Sequence, residues 1–152
     1  TNASILTRDY IDELVEAGVT DFGPDLKGYY PQTFMRITAV EDTELAEKYL
    51  HTAWDAVRYL ISAYKDRIFT GIGIPYNKEL ISAEEVGVIG EKVFEIDPEI
   101  QVCVLDYRPE FRRRDLVKPG WDVMVKIHRI LKKKGLKNVI CQTERGHIGP
   151  EL

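Results

Sequence analysis

The chain is 152 residues long, 44% hydrophobic and 30% charged, with a formal net charge of -4. That length is one domain's worth, enough to bury roughly two thirds of its unfolded surface. The composition is that of an ordinary globular protein, and its acidic balance excludes a generic nucleic-acid binder. No apolar run approaches the roughly 20 residues of a membrane span, and the opening segment is too acidic and mixed for a signal peptide, so the chain reads as cytoplasmic, with neither nucleic acid nor membrane as partner.

In chain order, "LTRDYIDELVEAG" carries Leu6, Tyr10, Leu14 and Val15 at helical spacing, opens on a Thr and an Asp suited to a first turn, and stops at Gly18. The apolar stretch "VTDFGPDL" follows as a strand. A helix over about residues 42 to 64 has Leu45, Tyr49, Ala53, Val57, Leu60 and Tyr64 on one stripe, with Asp42 or Thr43 as cap. Strand "RIFTGIGIP" comes next. "SAEEVGVIGEKVFEID" opens with Ser82 and Glu85 in capping-box spacing. It leads to "EIQVCVLDYRP", whose continuous apolar run predicts a strand covered on both faces. A last helix, about 119 to 134, starts at Pro119 and ends at Gly135 before strand "NVICQT". The reading is four strands separated by helices, with the end of a fifth at Thr1, and one α/β domain over residues 1–152. Cys103 and Cys141 lie inside apolar runs and read as buried free thiols in a reducing compartment.

Alternating strands and helices imply right-handed crossovers and a parallel sheet whose strand C-termini open on one edge, where such proteins place ligands. Asp25, Lys27, Tyr76, Asp106, Tyr107, Arg108 and His147 are expected on that rim. Asp25 and Lys27 would be worth ~0 to 1 kcal/mol as a solvated ion pair, but their place at a strand end favours ligand binding. Gly71, Gly73 and Pro75 match neither a dinucleotide nor a P-loop spacing, and the glycines are read as marking close approach of a ligand. "RRR" at 112 to 114 and "KKK" at 132 to 134 read as solvated faces or complements to a helix dipole, whereas Arg108 directly follows a strand. His51 and His128 lack ligand-spaced partners and read as structural.

In order, "TNAS" at 1 to 4, "DLK" at 25 to 27, "GIGIPYN" at 71 to 77 and "LDYRP" at 105 to 109 resemble strand ends of the radical S-adenosylmethionine superfamily, most closely pyruvate formate-lyase activating enzyme-like proteins. The resemblance covers nearly the whole chain through short motifs. It implies parallel βα repeats forming part of a partial TIM-type barrel, with Thr1, Asn2, Asp25, Lys27, Tyr76, Asp106, Tyr107 and Arg108 as cofactor-binding residues and none as catalytic. It further implies a parent enzyme in which a reduced [4Fe-4S] cluster cleaves S-adenosylmethionine to a 5'-deoxyadenosyl radical that abstracts hydrogen, in the activase case from a glycyl residue of a protein substrate loop. Asp25 would accept from ribose hydroxyls and Lys27 would donate to ribose or carboxylate oxygens.

The chain departs from the family pattern. Neither the C-x-x-x-C-x-x-C motif nor the Gly-Gly-Glu motif occurs, and Arg108 stands where the family often has His. The expectation is therefore a C-terminal fragment of the barrel that binds no cluster and is inactive alone. "TNAS" would be the remainder of a "DTNG"-like strand end. Such a fragment would expose a sheet edge and uncover Phe22, Ile72 and Ile74, favouring self-association. Two other readings use the same residues. One is a Schiff-base aldolase-like barrel with Lys27 as nucleophile. The other is a protein-interaction module presenting Tyr29, Tyr30, Phe111 and Arg112 to Arg114.

Overall fold

The computed structural model describes residues 1–110 and 113–151, so Phe111 and Arg112 of the expected contact surface lie outside the described residues. The chain forms two compact units, Thr1–Gly73 and Ile74–Leu152, with one strand passing from the first into the second.

In the first unit, α1 spans Arg8–Glu16, and Thr7 caps it by accepting from the Tyr10 N–H at 3.4 Å. Gly18, with φ of 96°, follows the helix end in the left-handed conformation that favours glycine. The expected apolar stripe of this helix is displaced: Tyr10 is exposed and Ile11 carries the burial. Helix α2, Pro31–Thr38, is absent from the sequence reading. Pro31 sits in its first turn, Phe34 and Ile37 are buried, and Ala39 ends it in the left-handed region. Helix α3, Thr43–Tyr64, agrees with expectation at both ends, with Asp42 accepting from the Leu45 N–H at 3.0 Å. Its buried seam runs through Ala46, Leu50, Ala53, Val57 and Leu60, while Leu45 is exposed.

Strand β1 is shorter than the apolar stretch implied, Asp21–Phe22, paired in parallel with the start of β2, Phe69–Tyr76. Pro24 has no N–H to give the ladder, but its carbonyl accepts from the Gly73 N–H at 2.9 Å, and parallel bridging resumes at Asp25. Phe22 and Ile72 are buried, as is Ile74 of the second unit, which corrects the expectation that these three side chains would be uncovered.

The second unit contains the end of β2, α4 (Ala83–Ile96), β3 (Gln101–Asp106), α5 (Trp121–Lys133), β4 (Asn138–Thr143) and β5 (Gly146–Ile148). Ser82 caps α4 through the Glu85 N–H at 3.0 Å. Helix α5 begins two residues beyond Pro119 because Gly120 is extended, at φ -78° and ψ 167°, and serves as its cap. Its last turn carries Lys132 and Lys133, where cations complement the helix dipole.

Strands follow one another in the order β1-β2-β3-β4-β5. β3 and β4 are parallel, whereas β5 returns antiparallel to β4 through a hairpin that the expected all-parallel pattern did not include. Consecutive parallel strands joined by right-handed crossovers put successive helices on the same face, and α4 indeed packs against α5. The burial pattern follows. Val102, Val104, Val139 and Cys141 are fully buried, while Gln101, Cys103, Leu105, Asn138, Ile140 and Gln142 alternate with them on a half-exposed face. The expectation of a β3 covered equally on both faces is thus corrected, and Cys103 is half-buried rather than buried. The fold is α/β with a mostly parallel five-stranded sheet. Among the described residues, no helix is long and apolar enough to cross a membrane.

Candidate functional site

In the first unit, Asp25 is held on both sides. Its N–H donates to the Thr1 carbonyl at 3.0 Å, parallel bridges join it to Asn2 and Gly73, and the next N–H, of Leu26, donates to the Gly73 carbonyl at 2.8 Å. The Thr1 nitrogen also donates to the Gly23 carbonyl. Lys27 Nζ meets Asp25 Oδ2 at 2.9 Å, with side chains 19% and 28% exposed respectively, so the pair is neither freely solvated nor sealed.

Gly73 makes this placement possible. A Cβ there would collide with Asp25 Oδ1. The close approach expected at this glycine is therefore made by the chain's own carboxylate, lying across the β2 backbone, and not by a ligand. Asn2 accepts from the Ser4 N–H at 3.3 Å, which commits its side-chain oxygen to the adjoining 3-10 turn. Beyond Lys27, Gly28 turns the chain with φ of 120°, and its carbonyl accepts from Trp54 Nε1 of α3 at 3.4 Å. Tyr29 stands edge-on to Trp54 and to Tyr30. The loop after "DLK" is thereby anchored to the long helix.

In the second unit, Tyr76, Asp106, Tyr107 and Arg108 converge at the ends of β2 and β3. The Tyr107 N–H donates to the Tyr76 carbonyl at 2.9 Å. Burial, with a smaller contribution from Glu84, raises the Tyr76 phenol above its ordinary pKa. The Asp106 side chain is wholly buried. Its Oδ1 accepts from Arg108 Nε at 3.1 Å, and Lys118 Nζ stands 3.6 Å from Oδ2. That second distance is within ion-pair range but too long for a hydrogen bond, and among the described residues Oδ2 has no hydrogen-bond partner.

Three participants escaped sequence reasoning. Asn77 is fully buried; its Nδ2 donates to the Tyr107 carbonyl at 3.1 Å and the Val117 carbonyl at 3.0 Å, and its Oδ1 accepts from the Glu79 N–H at 3.0 Å. It ties the end of β2 to both ends of the loop that carries Arg108 and Lys118. Lys118 lies twelve positions after Asp106 in sequence, so no local motif links them. Gln142, on β4, joins the pocket through the β3–β4 register. Only Asn77, adjoining Tyr76 at a strand end, could have been found by position.

A pocket of about 430 Å³ lies here, lined by Leu105, Asp106, Tyr107, Arg108, Glu110 and Gln142. A larger groove, about 580 Å³, runs along α5 and includes Trp121, Lys126, Arg129 and Lys133. It contains no buried polar group and is a cationic helix face, so size is a poorer guide here than chemistry. His147, expected on the rim, is exposed on β5 opposite Gln142. His51 is exposed on α3; His128 is buried in α5, where burial lowers its pKa.

Among the described residues, no group of three or more His, Cys, Asp or Glu side chains is arranged to hold a metal ion. Cys103 pairs in register with Ile140 and Val104 with Cys141, so the two thiols point to opposite faces of the sheet and do not fit a cluster. No protein-family model matches the chain, and neither does any curated protein sequence.

Proposed function

We propose that this chain forms part of a partial TIM-type barrel of the radical S-adenosylmethionine kind, and that Asp25 and Lys27 hold the cofactor's ribose. The observation that carries the reading is the half-buried Asp25–Lys27 pair, set across Gly73 where the β1 line ends. Consecutive parallel strands with helices on one face of the second unit also support it, because a doubly wound sheet would reverse its strand order.

Asp25 offers acceptor oxygens to vicinal hydroxyls, and Lys27 donates to ribose or carboxylate oxygens, so the pair grips a polar sugar without adding net charge. The roles are positioning roles. S-adenosylmethionine would supply hydrogen-abstraction chemistry only on one-electron reductive cleavage, the electron coming from an iron–sulfur cluster that this chain's residues do not hold. The residues present do not fit an iron–sulfur cluster, and no step of this reading runs through one. The activase type of the family, acting on a glycyl residue of a protein loop, is the functional class to which the reading belongs.

Calorimetric titration of S-adenosylmethionine into the protein tests the reading. Asp25→Ala and Lys27→Ala should each weaken binding by about 1 to 3 kcal/mol, as lost charged hydrogen bonds do, with the fold retained by circular dichroism. Unchanged affinity in both variants would remove the pair from the cofactor site. Trapping of a carbonyl compound on Lys27 by borohydride would replace the reading with the Schiff-base alternative.

A further inference from the structure

Helix α5 turns a stripe of cations outward. At about 3.6 residues per turn, Lys126, Arg129 and Lys133 fall within about 60° of its circumference, opposite the buried Met124, Ile127 and Leu131. All three are exposed, and none makes a hydrogen bond or an ion pair among the described residues. Elsewhere in the second unit Lys92, Lys134 and Lys137 meet Glu95, Glu91 and Glu99. Asp122, one turn before Lys126, forms no ion pair with it. Spacings of three and four residues bring like charges together and destabilise a helix, so the stripe carries a repulsion that an anionic partner would relieve. The field reaches inward as well: burial lowers the pKa of His128, and the charges of Lys132 and Arg129 lower it further.

Apolar side chains flank the stripe. Trp121 and Val125 stand on one side and Ile130 on the other, all half-buried, and with the cations they line the groove of about 580 Å³. Arg145, from the turn between β4 and β5, lies 5.8 Å from the centroid of the Trp121 ring and adds a fourth cation. We propose that this groove docks an acidic peptide segment of a partner protein, its carboxylates on Lys126, Arg129 and Lys133 and an apolar side chain against Val125 and Trp121. A membrane surface would need apolar side chains free to insert, but Met124, Ile127 and Leu131 are packed in the core. A single-stranded nucleic acid would need an open aromatic face, and Trp121 already stands beneath Arg145. The docking face lies wholly in the second unit and does not depend on the S-adenosylmethionine reading.

The test is fluorescence anisotropy of a fluorescein-labelled peptide alternating glutamate with leucine, titrated with the full chain. Binding should weaken about tenfold between about 0.01 and 0.1 M salt, as the Debye length falls from about 30 to 10 Å. Lys126→Glu combined with Arg129→Glu should weaken it by about tenfold or more at the lower salt, whereas Lys78→Glu, which reverses an exposed and unpaired cation elsewhere in the second unit, should leave it within about twofold. Circular dichroism checks the fold, and if the double reversal does not fold, Lys126→Gln with Arg129→Gln should still weaken binding about fivefold. Serine in place of leucine in the peptide should weaken binding about threefold or more, because the apolar contact is lost. Equal affinity for the serine peptide, a loss with Lys78→Glu as large as with the double variant, or no anisotropy change at hundreds of micromolar protein would each overturn the proposal. So would displacement of the peptide by a single-stranded oligonucleotide, or by phosphatidylserine vesicles, at a lower charge concentration than the unlabelled peptide requires.

Discussion

Replacing Asn77 tests how the loop bearing Arg108 and Lys118 is held. The side chain makes three hydrogen bonds, at 3.1, 3.0 and 3.0 Å, from a fully buried position. Asn77→Ala removes all three, and a typical net value of about 0.5 to 1.5 kcal/mol each gives a range of about 1.5 to 4.5 kcal/mol. Val117 is exposed and its carbonyl can regain water, so the expected loss is about 2 to 3 kcal/mol. Asn77→Asp should be worse at neutral pH, because it keeps the acceptor for the Glu79 N–H but turns a carboxylate oxygen toward the carbonyls of Tyr107 and Val117. That repulsion raises the pKa of the introduced acid in the folded state, so stability should return as pH falls through the raised value. Urea unfolding midpoints measure both effects. An Asn77→Ala cost within about 0.5 kcal/mol of zero, the range of ordinary surface changes, would refute the reasoning, as would an Asp variant no less stable than the Ala variant at neutral pH.

Gly73→Ala should destabilise the first unit by about 1 to 3 kcal/mol, the range for overpacking, because its Cβ and Asp25 Oδ1 compete for one space. In an Asp25→Ala background the same change should cost little, and additivity in that double-mutant cycle would show that the two do not meet. Tyr64 donates to Asp12 Oδ1 at 2.6 Å, and this bond raises its pKa from 10.0 to about 12. The linked stability is therefore present below pH 10 and lost as pH rises through about 12. Asp12→Asn should move the tyrosinate absorbance titration of Tyr64 back toward its ordinary value, and an unmoved titration would assign the shift to burial.

Much of the framework was legible in the sequence because it rests on local chemistry. Asp42 and Ser82 announce their helices through side-chain caps, and Gly18 and Gly135 mark helix ends through positive φ. Helix α2 was hidden because its eight residues follow two tyrosines and offer only Phe34 and Ile37 as a periodic signal. β5 was hidden for another reason: "TERGHI" reads as a loop until the Thr143–Gly146 pairing closes a hairpin. The candidate site divides the same way. Asp25 and Lys27 are neighbours in sequence and could be paired by inspection. The link from Asp106 to Lys118, and the bonds from Asn77 to Tyr107 and Val117, join residues far apart in the chain, which no spacing rule encodes.

The two cysteines offer a direct reading of how the sheet is covered. They lie on neighbouring strands, one register step apart, so a single step of the pleat sends Cys141 beneath the helices and Cys103 to the half-exposed face. Burial, reinforced by the nearby Cys103, pushes the Cys141 thiol up to about 12. At pH 8 the reactive thiolate would then be about one part in ten thousand at Cys141. Burial also raises Cys103, but without closing it from solvent. Alkylation of the native protein with iodoacetamide, followed by peptide mass spectrometry, should therefore modify Cys103 alone, and Cys141 should react only at the rate at which the second unit opens. Adding urea below the unfolding midpoint should accelerate Cys141 and leave Cys103 nearly unchanged, because only the former waits for a helix to leave. Equal native reactivity, or protection of both thiols to the same degree, would mean that β3 and β4 are covered alike on their two faces. The one-sided packing of α4 and α5, on which the barrel reading depends, would then be wrong.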